Sequence, residues 1–72
     1  MEIAQAFGKT VKRLREQRNW SQEKLAERSG LHRTYISGIE RGARNPTILI
    51  VAKLAQALNV RPSDLFLGEQ KK

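Results

Sequence analysis

The chain has 72 residues, no cysteine and 39% hydrophobic residues. That allows one domain around one small core, is too apolar for a disordered segment, and excludes a disulfide framework or a thiolate metal site. Fourteen Lys and Arg against seven Asp and Glu give a net charge of +7 and a pI near 10.6. That balance suits a polyanion, either nucleic acid or an anionic membrane surface.

The membrane alternative needs a basic amphipathic helix with bulky apolar anchors, whereas the basic residues here are scattered over several short segments. No apolar run approaches the roughly 20 residues needed to span a bilayer. The start, MEIAQAFGK, lacks the basic-then-apolar pattern of a signal peptide. Nucleic acid is therefore the favoured partner, with no membrane association and a cytoplasmic location.

In chain order, Ile3, Phe7, Val11 and Leu14 recur at helical spacing and predict a first helix with one apolar stripe. Lys9, Lys12, Arg13 and Glu16 fall on its outer face, and Arg15 at the edge of the stripe. Asn19 suits a C-terminal cap because Asn tolerates the left-handed conformation. Ser21 is placed to cap a second helix, with Trp20 and Leu25 as a hydrophobic staple across the cap. The same device recurs as Leu31 with Ile36 around His32, and as Val60 with Leu65 around Arg61. Neither His32 nor Arg61 is a good capping residue, so those two starts rest on packing.

The segment from Gln22 to Arg41, QEKLAERSGLHRTYISGIER, predicts two short helices joined at Gly30, whose positive φ costs nothing sterically. Ala26 is small enough for a close crossing, and Ile36 and Ile39 face the first helix of the pair. The opposite face of the second carries Arg33 at its edge, then Thr34, Ser37, Gly38 and Arg41, with no hydrophobe among them. Spacing alone leaves this face open between a helix laid into a DNA groove and an ordinary solvated hairpin.

In GARNP, Gly42 ends that helix and Pro46 keeps Asn45 from extending it. Thr47 caps a fourth helix with a stripe of Ile48, Val51, Leu54, Ala55 and Leu58, ended by Asn59. Pro62 and Asp64 suit the first turn of a last short helix, Leu65 and Phe66 close the core, and residues 68–72 form a frayed tail. The expected fold class is all-α, a single domain over residues 1–72 with five helices and no strand.

The string SQEKLAERSGLHRTYISGIERGARNPT resembles the helix-turn-helix of the lambda-repressor and Cro family of regulators, also called the XRE family. HRTYISGIERGARNP is most similar to the controller proteins of restriction-modification systems. The resemblance spans about 7–66 and implies double-stranded DNA as partner, with the helix 33–41 in the major groove. Arg33 and Thr34, in the first turn, and Ser37, one turn on, are then the base-contacting residues. Gly38, costly in a helix by about 1 kcal/mol, is explained by close approach of its backbone to DNA. Gln22, matching a glutamine that the family uses, Tyr35 through its hydroxyl, and Arg41, Arg44 and Asn45 are assigned to phosphates; the minor groove is the alternative for Arg44.

Glu40 is an acid beside this surface, and by direction it pairs with Arg15, as a similar pair does in the family. The single His32 makes no metal site, no nucleophile–base pair is visible, and no enzyme activity, cofactor or small-molecule ligand is expected. The family usually has polar residues where Leu49 and Ile50 stand. Together with Leu65, Phe66 and Leu67 they are assigned to a homodimer interface, which would set two recognition helices about 34 Å apart on a two-fold symmetric operator.

The function expected is that of a sequence-specific transcriptional regulator controlled by its own concentration. It represses where its site overlaps the promoter and activates where the bound dimer contacts RNA polymerase. The alternatives are an antitoxin-type interaction module with secondary DNA binding and a nonspecific nucleoid-type binder.

Overall fold

The apolar stripe of the first segment forms helix α1 (Ile3–Gln17), which buries Phe7 and Val11. The computed structural model describes residues 2–67, Leu67 through its backbone only. The tail expected at 68–72 and the side-chain role assigned to Leu67 lie outside the described residues. Four further helices follow: α2 (Gln22–Ser29), α3 (Arg33–Glu40), α4 (Ile48–Leu58) and α5 (Asp64–Leu67). There is no strand among the described residues, and no helix there is long and apolar enough to cross a membrane.

The helix ends are set by local chemistry. Ser21 Oγ accepts a hydrogen bond from the Lys24 N–H at 3.0 Å, and Thr47 Oγ1 one from the Ile50 N–H at 3.2 Å, each satisfying a first-turn donor. Asn19 and Asn59 follow α1 and α4 in the left-handed conformation, at φ 59° and 60°. Gly30 ends α2 at φ 78°, and the N–H groups of Gly30 and Leu31 both reach the Ala26 carbonyl. His32 precedes α3 with no side-chain cap. At the last helix the expected cap is reversed: Asp64, not Arg61, supplies the acceptor, its Oδ2 taking the Arg61 N–H at 3.0 Å.

The core joins Phe7, Val11, Leu25, Ala26, Ile36, Ile39, Val51, Leu54, Ala55, Leu58 and Leu65. α1 packs mainly on α3 and α5, while α2 packs on α3 and α4. Two contacts were hidden in the sequence. Gly8 is buried where α1 crosses α3, and a Cβ there would overlap the Ile39 carbonyl oxygen. Thr10 is also fully buried, its hydroxyl donating to the Ala6 carbonyl at 3.0 Å. Arg18 ties two helix ends together, donating from Nη1 to the Leu14 carbonyl (2.8 Å) and from Nη2 to the Leu58 carbonyl (2.6 Å).

Several apolar residues depart from the places expected of them. Ile3 and Ile48 extend their stripes in sequence but stand in the first turns of α1 and α4, beyond the core. Ile48 is 89% exposed. Leu65, expected both to close the core and to join a dimer surface, does only the first: it is wholly buried, the inward-facing residue of a one-turn helix. Phe66, expected to close the core, is half exposed, with its ring 5.1 Å from that of Phe7. Ile50 is partly covered by the core, which leaves Leu49 as the exposed member of that pair.

Candidate nucleic-acid interface

Burying Ile36 and Ile39 fixes the rotation of α3 and turns Arg33, Thr34 and Ser37 to the opposite side. Arg33 and Thr34 are exposed in the first turn, and Ser37 is half-buried one turn on. Arg41, following the helix, donates from Nη1 to Ser37 Oγ at 2.7 Å.

Beneath this face lies a polar chain that begins in the core. Arg15 donates from Nε to Glu40 Oε2 at 2.7 Å and from Nη2 to Oε1 at 3.0 Å, and its Nη1 reaches the Trp20 carbonyl at 2.7 Å. The Glu40 side chain is only 4% exposed, so this carboxylate is withdrawn from the surface that would meet phosphate. The hydrogen bonds to Glu40 push the Arg15 pKa up, outweighing desolvation. Gln22 continues the chain: its Nε2 donates to Glu40 Oε1 at 3.0 Å, and its Oε1 accepts from Arg33 Nη1 at 3.3 Å. Arg33 Nε also lies 3.7 Å from a Glu23 carboxylate oxygen across a solvated gap. The assigned phosphate ligand Gln22 and base reader Arg33 are therefore in mutual contact, and both trace back to one buried ion pair.

The expected role of Gly38 needs correction. Its face points away from the core, yet Gly38 is buried, because the chain after α3 folds back over it. The Ala43 N–H donates to the Gly38 carbonyl at 2.9 Å. The Arg44 side chain then lies so close that a Cβ on Gly38 would be 3.0 Å from its Cδ and Nε. The missing side chain leaves room for Arg44, so no backbone approach by DNA is needed to explain this glycine. Arg44 continues to the Tyr35 ring, with Cζ 4.8 Å from the ring centroid. These three residues, separate in the sequence, form one assembly that no local pattern announces.

Asn45 is exposed beside Pro46. Both border an apolar cleft of about 150 Å³ with Ile3, Ala4, Phe7, Val51 and Phe66. Leu49, 63% exposed, and the exposed Ile48 and Phe66 are large apolar side chains on α4 and α5 rather than on the polar face of α3. Among the described residues no group of three or more His, Asp or Glu is placed to hold a metal ion.

A helix pair closed at a left-handed glycine, with a second helix buried on one face and polar on the other, is the helix-turn-helix unit. Residues 11–65 match the family model described as helix-turn-helix. The chain belongs to that family, as a DNA-binding transcription regulator of the XRE type.

Within it, the chain is similar to the control proteins of restriction-modification systems. It is 52% identical over 61 residues to control protein C.BamHI of Bacillus amyloliquefaciens, covering 83% of this chain and 75% of that protein. It is 49% identical over 59 residues to control protein C.SmaI of Serratia marcescens, covering 82% of this chain and 70% of that protein. The crystal structure of controller protein C.AhdI from Aeromonas hydrophila superposes with a TM-score of 0.85 at 44% identity, covering 88% and 96% of the two chains. The C.Esp1396I tetramer in complex with its natural 35-base-pair operator gives 0.83 at 36% identity, covering 92% and 87%.

Proposed function

We propose that this protein is a sequence-specific transcriptional regulator that binds a two-fold symmetric operator as a homodimer, laying α3 of each protomer in the major groove. The observation that carries this reading is the face of α3. Arg33 and Thr34 stand exposed at its leading turn with Ser37 behind them, while the one acid on the helix, Glu40, is buried and neutralised by Arg15.

In this reading Arg33 hydrogen-bonds a guanine edge, and Thr34 and Ser37 contact neighbouring bases. Gln22, Arg41, Arg44 and Asn45, with the N–H groups at the start of α2, engage phosphates and set the register. Glu40 is assigned a positioning role, since it accepts from the Gln22 amide that in turn accepts from Arg33.

One α3 spans only a few base pairs, and a second copy doubles the sequence read. The exposed apolar residues Ile48, Leu49 and Phe66 are proposed for pairing, and the tetrameric operator complex of C.Esp1396I supports assembly on DNA. Occupying the operator then represses by covering a promoter, or activates by contact with RNA polymerase. Such a regulator acts in the cytoplasm and responds to its own concentration.

The test is selection of preferred sites from random duplexes, followed by affinity measurements across a salt series for the selected and a scrambled duplex. The expected outcome is a symmetric site bound at least about 10³-fold more tightly than the scrambled one. Equal affinity for both, with a steep salt slope, would overturn the proposal in favour of nonspecific binding through the basic surface.

A further inference from the structure

We propose that Tyr35 and Gly38 are positioning residues for Arg44: together they form a cradle that holds its guanidinium along the groove-facing side of α3 before DNA arrives. This inference rests on the DNA-binding reading above and assigns work within that site.

The geometry has three parts. The turn after α3 is anchored by the Ala43 N–H on the Gly38 carbonyl, at 2.9 Å, which brings the chain back over the helix it has just left. The Arg44 stem then lies in the space left by the absent Gly38 side chain, where a Cβ would meet Arg44 Cδ, Nε and Cγ at 3.0 to 3.1 Å. Its guanidinium ends over the Tyr35 ring at 4.8 Å, within cation–π range. Tyr35 packs against the core and is half-buried, so the platform is fixed, while Arg44 itself is exposed. Its charge stays available to a phosphate even though its stem is held.

The gain is entropic. A free arginine on an exposed loop must give up its rotamer freedom when it clamps a phosphate, whereas one already lying on a rigid surface has given up much of it on folding. The same loss of freedom on folding accounts for a glycine two residues before the end of α3. Alanine would favour the helix but would crowd Arg44 off its track.

The test uses the full chain and its selected duplex. Arg44→Ala is expected to weaken binding and to reduce the slope of log affinity against log salt by about one unit, the signature of one lost phosphate contact. Tyr35→Leu is expected to weaken binding about 2- to 10-fold, the range for freeing one long side chain, and Tyr35→Phe, which keeps the ring, to rescue most of it. In the double variant, removing the ring from a protein that already lacks Arg44 should cost little more, so that a thermodynamic cycle shows coupling. Gly38→Ala should melt no lower than wild type and still bind less tightly, a pairing that a purely structural role for Gly38 does not produce. Without DNA, the Arg44 Hε resonance should lie upfield under the Tyr35 ring current and move downfield in Tyr35→Leu.

Additive effects in the cycle, or losses in Tyr35→Phe as large as in Tyr35→Leu, would overturn the cradle and leave the DNA-binding function standing. Failure of the wild-type protein to prefer any duplex would overturn the function itself, and this inference with it, before any variant is made.

Discussion

Arg15 of α1 and Glu40 of α3 face each other through two parallel hydrogen bonds of 2.7 and 3.0 Å, with side chains only 10% and 4% exposed. A buried pair of this kind costs much to break, because removing one partner leaves the other charge without water or counter-charge. Glu40→Ala should therefore lower unfolding stability by about 3–5 kcal/mol in denaturant titrations. Replacing both residues by apolar side chains of similar volume should recover much of that loss. The recovered protein should still bind its operator less well, since Gln22 loses the acceptor that orients it. Unchanged stability in Glu40→Ala would show the pair to be incidental.

Arg33→Ala separates reading from binding. If Arg33 contacts a guanine, this variant should lose about 1–3 kcal/mol of discrimination at one position of each half-site while keeping its preferences elsewhere. Affinities for a set of singly substituted duplexes measure this directly. A uniform loss at every position, with a shallower salt slope, would make Arg33 a phosphate ligand instead.

Leu49 is 63% exposed, so Leu49→Asp should leave the monomer fold intact. Sedimentation equilibrium is expected to show the wild type associating at micromolar concentration and the variant staying monomeric, with operator affinity falling in step. A variant that still dimerises would move the interface away from α4.

Asp64 gives a small pH signature. Hydrogen bonds from the Arg61 N–H and then from its side chain hold this carboxyl below its ordinary value of 3.8. A depressed folded-state pKa stabilises the fold above the ordinary value, and that contribution fades as pH falls through the depressed one. Melting temperatures followed downward from pH 5 should therefore decline less steeply in Asp64→Asn than in wild type, with the difference confined to the acid side of about pH 4. Arg15 adds no slope in the working range, because its pKa is raised from a value already far above it.

Much of the fold is legible in the sequence, because caps and stripes are local. Ser21, Thr47, Asn19 and Asn59 end or begin helices through contacts within a few residues, and those contacts form as the residue types predict. The Arg15–Glu40 pair follows from the direction of Glu40 on its helix. Tertiary approach is what the pattern misses. Nothing within α1 announces that Gly8 meets the backbone of α3, or that Arg44 folds back onto Gly38. Leucines are equally opaque: Leu49 and Leu65 differ in exposure only because one begins a long helix at the surface and the other faces inward on a single turn.

Arg18 holds the carbonyls that end α1 and α4 in one hand, at 2.8 and 2.6 Å. Since α1 also meets α3 backbone to backbone at Gly8, a proposed pairing surface on α4 and a reading head on α3 are parts of one stiff body. The proposed dimer of such bodies would work as a caliper with a fixed opening. Each base pair inserted between half-sites advances the second about 3.4 Å and turns it about 35° around the duplex. With α1 tied to both α3 and α4 in this way, a dimer of this kind should follow that movement poorly, so spacing should be discriminated as well as sequence.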